Sequence, residues 1–200
     1  MRDVIITLMV LATIPFILRN PWYGVLTWSW LSYMNPHRLA WGFAYDMPFA
    51  QIVAIVLFFS LLISKEKKGL PANSLVVVWV IFLVWLSIST VFAVYPDLAV
   101  LQLQKVLKIQ LVTFVTLMLM RDFERVNQLI WVIVFSIGFY SVKGGIFTIM
   151  TGGGYHVFGP DGSDIQENNA LAVAVLMIIP LMIYLYRYPP RDWVKKIMPY

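Results

Sequence analysis

The amino-acid sequence is a succession of long apolar runs, each closed by a short charged cluster or a proline turn. The clearest occupy residues 48–64, 75–94, 98–120, 126–149 and 170–186. A helix needs roughly 20 apolar residues to cross the hydrocarbon core of a bilayer, with a range of about 17 to 25. Runs of that length, repeated along one chain, leave little room for a water-soluble fold. Two shorter runs precede them. Residues 4–18 contain Pro15, and residues 22–34 are rich in aromatics, with Arg19-Asn20-Pro21 between the two. They read either as two tilted spans or as one broken, re-entrant element. The expected fold is therefore all-α, a polytopic integral membrane helix bundle of about seven hydrophobic segments.

Composition agrees. Of the 200 residues, 60% are hydrophobic and 12% charged, where a soluble domain carries about 25% charged residues. The chain has no cysteine, which excludes disulfide frameworks, thiolate metal sites and cysteine nucleophiles. His37 and His156 are too far apart to form a spaced ligand pair, so neither a metal nor another cofactor is expected. The net charge of +5 comes from scattered basic residues. That pattern fits orientation in a membrane and gives no nucleic-acid patch. No small-x-small site follows Met1-Arg2-Asp3, so a cleaved signal peptide is not expected.

Lys and Arg in short loops set orientation. The loop 65–68 carries three, the turn 121–125 two and the tail 187–196 four, while 95–97 and 150–168 carry none. All three basic loops fall on one side, taken as cytoplasmic, and the acidic loop falls outside. Trp79, Trp131 and Trp193 read as interface aromatics.

Charged groups within a span are the informative ones, because their insertion costs about 2.5 to 3.5 kcal/mol. In the run 98–120, Leu101, Gln104, Lys105 and Lys108 share a helical face. At 1.5 Å per residue, Lys105 lies roughly 10 Å deep, Lys108 roughly 15 Å and Lys143 roughly 9 Å. Snorkelling would account for them individually. Together they point to an anionic headgroup site, since ammonium is a compact point charge suited to phosphate or diphosphate.

The outer loop GGGYHVFGPDGSDIQENNA is a second candidate, with Gly159-Pro160-Asp161-Gly162 as turn chemistry. Asn168 or Asn169 would cap the following helix. Alternatively, Asp161, Asp164, Asn168 and Asn169 contact a polar substrate such as a sugar, with His156 as an acid–base group. A third stretch, from Tyr33 to Asp46, sets aromatics beside Arg38 and Asp46. These residues would lie at the interface or stack on sugar rings.

The run SYMNPHRLAWGFAYDMPFAQIVA (32–54) resembles the N-terminal region of the O-glycosylation ligases associated with the exosortase A system, within the O-antigen ligase/polymerase superfamily. The run FGPDGSDIQENNALAVAVLMIIPLMIYL (158–185) resembles a second hallmark of that group. The resemblance implies a multi-pass protein of the bacterial inner membrane. It also implies transfer of a glycan from an undecaprenyl diphosphate carrier to a protein or lipid acceptor on the periplasmic face. Family members are roughly twice this length, with catalytic arginines and a histidine in a later half. The 200 residues are thus expected to be the N-terminal transmembrane region, without the catalytic half and inactive alone, and no catalytic residue is carried over. Lys105, Lys108 and Lys143 would hold the diphosphate. A transporter or flippase of an anionic or lipid-linked solute would use the same lysines as a pathway. A non-catalytic assembly subunit would use none of them.

Overall fold

The computed structural model describes residues 1–66, 69–70 and 73–188. The described residues contain seven α-helices: α1 (Arg2–Arg19), α2 (Trp22–Met34), α3 (Phe49–Ile63), α4 (Ser74–Val91), α5 (Pro96–Leu119), α6 (Phe123–Met150) and α7 (Asn168–Arg187). A short 3-10 helix, Pro36–Leu39, lies between α2 and α3. No strand occurs among the described residues. Four helices, α4 to α7, are long and apolar enough to cross a membrane, and α3 is a shorter apolar helix. The chain is an all-helical membrane protein.

The break between α1 and α2 follows from Pro21. Proline lacks the N–H that α1 would need to continue, and it pushes the preceding residue out of the helical region. Asn20 is accordingly extended, at φ −142 and ψ 106. Residues 4–34 therefore form two packed helices. α2 ends at Asn35 in the left-handed region, φ 45, which asparagine tolerates better than most residues. Its side-chain amide donates to Ser32 O at 2.8 Å.

The chain forms two compact units. One comprises Met1–Ser64 with the described residues from Asp122 onward, and the other Lys65–Arg121. In the first, α2 packs on α1, α3 and α6, and α6 packs on α7. Gly24 of α2 lets three helices close together. A Cβ there would sit 2.9 Å from Leu57 Cδ1 of α3 and 3.0 Å from Ile17 Cγ2 of α1. Small residues permit this kind of backbone approach between membrane helices. Val134, Ile137, Ile178 and Leu185 form the α6–α7 seam, with Trp131 packed against it.

Hydrogen bonds tie the first unit at both ends. At one, Asp3 Oδ1 accepts from Gly42 N at 3.0 Å and Ala44 N at 3.2 Å, and Tyr140 OH donates to Met34 O at 2.6 Å. At the other, Ser60 Oγ donates to Ile17 O at 2.5 Å, and Asn127 Nδ2 donates to Tyr188 O at 3.2 Å. Ile17 O is among the last carbonyls of α1, which lack a partner within the helix.

The second unit is the α4–α5 hairpin. Asn73 caps α4 by accepting from Leu75 N, and Pro96 opens α5, where its missing N–H costs nothing. Arg121 donates to Met118 O at 2.9 Å and to Gly69 O. Trp79 stacks on Phe114 at 4.1 Å and donates to Gln110 Oε1 at 2.9 Å. It is a pairing residue of the hairpin. The indole N–H of Trp131 is buried without a hydrogen-bond acceptor among the described residues. Trp193, Lys67, Lys68, Arg191, Lys195 and Lys196 lie outside the described residues.

Candidate functional site

Beside the Asp3–Gly42 latch, the first unit opens into a cleft of about 710 Å³. One face of α1 supplies Arg2, Ile5, Ile6 and Met9, whose spacing places them on adjacent turns. The end of α2 supplies Trp30 and Met34, and the segment after it Pro36, Arg38, Leu39 and Trp41. α6 contributes Phe139, Tyr140 and Lys143, and the loop before α7 contributes Phe158 to Asp161. Three cations thus meet one carboxylate within mostly apolar and aromatic walls.

Arg38 is held in place on two sides. Its guanidinium lies 4.6 Å from the Tyr45 ring centroid, and its Nη1 is 3.8 Å from Asp46 Oδ1. The Asp46 side chain is 91% exposed, so this pair contributes little stability and is easily exchanged for another anion. Arg2 and Lys143 have no ion-pair partner among the described residues. Next to Arg38, His37 is buried against Phe49, ring centroids 6.0 Å apart, and its Nδ1 has no hydrogen-bond partner. Burial, reinforced by the Arg38 charge, lowers the His37 pKa from its ordinary 6.5. It therefore helps shape the 3-10 turn as a neutral ring.

The acidic loop has a built conformation. Gly159 N donates to Gln166 O at 2.9 Å, and Gly162 N donates to Gln166 Oε1 at 2.9 Å. Ser163 Oγ donates to Pro160 O at 2.7 Å. This closed turn presents Asp161 to the cleft. Val157 anchors the preceding strand of loop on α6, where a Cβ on Gly144 would come within 2.6 Å of Val157 Cγ1.

Lys143 and Asp161 line the cleft, whereas Lys105 and Lys108 are exposed residues of α5 in the second unit. Asp164 and Asn169 are exposed, and neither lines the cleft. His156 Nδ1 lies 3.2 Å from Asn168 Nδ2. Asn168 instead borders a separate groove of about 480 Å³ between α6 and α7. The capping role expected of Asn168 or Asn169 is corrected. Glu167 is the N-cap and makes no side-chain cap, because Asn168 is already the first helical residue and its Oδ1 accepts from Asn169 N. Arg2 and Trp30 were not anticipated. Arg2 carries no local signal beyond being a basic residue ahead of an apolar run.

Across Arg38 a second, more polar recess of about 470 Å³ is lined by Ala40, Trp41, Gly42, Tyr45, Asp46 and Asp161. Among the described residues, no group of three His, Cys, Asp or Glu could hold a metal ion.

These features define a helical membrane protein with a cationic, aromatic-walled cleft at one end of its larger unit. A family of unknown function, DUF5935, matches residues 1–189, and the chain belongs to that family. No curated protein matches the chain, and no solved structure matches it.

Proposed function

We propose that the chain is the membrane part of an O-antigen-ligase-like glycan ligase, held in the bacterial inner membrane with the Arg2–Arg38–Lys143 cleft at its periplasmic end. In this reading α1, α2 and α3 join the four longer helices to give seven membrane segments. The observation that carries the proposal is the cleft itself. Its three cations, beside apolar walls on α1, α2 and α6, suit a ligand that is anionic at the head and hydrocarbon behind. Undecaprenyl diphosphate has that character, and it agrees with the resemblance of residues 32–54 and 158–185. Arg38 would meet phosphate oxygens as a planar fork and Lys143 as a point charge. A diphosphate is a good leaving group, so the glycan's transfer to an acceptor hydroxyl needs its charge to be bound.

The test is genetic and chemical. Deleting the gene should make undecaprenyl diphosphate-linked glycan accumulate on the periplasmic leaflet while the protein or lipid acceptor loses its glycan. A Lys143→Ala chain should restore transfer poorly. Unchanged carrier and acceptor pools after deletion would refute the ligase reading. Accumulation confined to the cytoplasmic leaflet would favour a flippase instead.

A further inference from the structure

Resting on that reading, we infer that the recess beyond Arg38 is a pyranose subsite, built to take the first sugar of the carrier as a neutral ring. The cleft and the recess share Arg38, Trp41 and Asp161, so a ligand whose charged head lies in the cleft places its next group in the recess. The chemistry of that recess differs from the cleft's. It has one guanidinium and two carboxylates, a formal balance of −1 (one positive minus two negative), where the cleft has three cations and one carboxylate. A second phosphate or a sugar acid is poorly suited to it.

The groups present suit a sugar. Tyr45 is engaged by Arg38, whereas Trp41 is 91% exposed and its ring is available to lie against the apolar face of a pyranose. Asp46 and Asp161 are acceptors only, matched to hydroxyl donors. Asp161 is held by the closed turn, with Gln166 Nε2 donating to its Oδ1 at 3.4 Å. Asp46 makes only a long 3.8 Å pair with Arg38, and its 91% exposed side chain can turn to a hydroxyl. A site built from such acceptors discriminates against ligands lacking the hydroxyls, because its polar groups would lose their partners. Arg38, at the wall between the compartments, would contact the phosphate nearest the sugar.

The experiment measures affinities of the full chain in lipid nanodiscs. The probes are undecaprenyl diphosphate, bare or bearing a single glucose, galactose, N-acetylglucosamine or glucuronic acid. At least one neutral sugar should tighten binding by roughly tenfold over the bare carrier, the scale of one or two good hydrogen bonds. Glucuronic acid should give no gain. Trp41→Ala and Asp46→Ala should each bring the neutral-sugar ratio close to one, and both sites are exposed enough for the variants to fold. Equal binding of the bare carrier and all neutral forms would overturn the subsite. So would a ratio preserved in both variants, or a glucuronic acid carrier bound as tightly as the best neutral one. Failure of the wild type to bind any carrier would overturn the headgroup reading on which the subsite depends.

Discussion

The loop that carries Asp161 is closed at its base by Gly159, and Gly159→Ala should open it. A Cβ at this position would stand 2.8 Å from the Ile165 carbonyl carbon and closer still to its oxygen, with Gln166 Cα at 3.4 Å. These are backbone atoms, so no side-chain rotation relieves the clash, and the two limbs must separate. Separation breaks the Gly159 N–Gln166 O bond and strains the Gly162 N–Gln166 Oε1 bond. At about 0.5 to 1.5 kcal/mol each, the two amount to roughly 1 to 3 kcal/mol of local stability. That is roughly 5- to 150-fold more frequent opening. Hydrogen–deuterium exchange in nanodiscs should show it as faster exchange across residues 159–166, with the helical core unchanged. Gly154→Ala is the matched control, because its Cβ would meet Thr151 O at an ordinary 3.6 Å. Exchange in Gly159→Ala within twofold of the wild type would refute the close-contact argument.

Gly24→Leu should destabilise the α1–α2–α3 contact by about 1 to 3 kcal/mol through overpacking, read as a lower unfolding midpoint in detergent. Gly138→Ala, with nothing within 4 Å of its Cβ, should not lower that midpoint, and the helix propensity of alanine should raise it slightly. Tyr140→Phe removes the 2.6 Å bond to Met34 O and should cost about 0.5 to 1.5 kcal/mol, again read by the unfolding midpoint. The lowered His37 pKa means that the unfolded chain takes up a proton more readily than the folded one. This contribution should be constant above about pH 6.5 and be lost as pH falls below it. His37→Phe should flatten the acid side of a midpoint–pH profile between pH 7.5 and 5.5, and an unaltered slope would exclude His37 as its source.

The helices were legible because hydropathy and punctuation act locally. Phe49–Ile63, Ser74–Val91, Pro96–Leu119, Phe123–Met150 and Asn168–Arg187 each fall within a few residues of an apolar run, since charge or proline ends both. The one ambiguity, residues 4–34, turned on a single proline whose effect depends on whether the two flanking helices find packing partners. Gly24 supplies that packing, but its partners Ile17 and Leu57 are not adjacent in sequence. The cleft was only partly legible for the same reason. Lys143, Arg38 and Asp161 stood out by residue type, yet nothing local connects them to Arg2. That link passes through Asp3 and backbone N–H groups at Gly42 and Ala44, and backbone donors carry no sequence signature. Trp79 and Trp131 show the same limit: an aromatic in an apolar run looks the same whether it faces headgroups, Gln110 or a neighbouring helix.

The Asp3 latch also bears on biogenesis. α1 is made first, but its fastening points, Gly42 and Ala44 at one end and Ser60 at the other, follow 39 to 43 residues later. At about 5 to 20 residues per second, the first helix waits roughly 2 to 9 s for them. During that interval Asp3 lacks the backbone partners that it meets in the finished fold. Residues fused ahead of Met1 would emerge beside Trp41, which lines a small open hollow together with Met1, Arg2 and Asp3. The amino terminus thus becomes a wall of the cleft only after residues 42–44 are made, while Phe139, Tyr140 and Lys143, and then Phe158 to Asp161, complete the cleft later still; it is also the wall that an amino-terminal fusion adjoins.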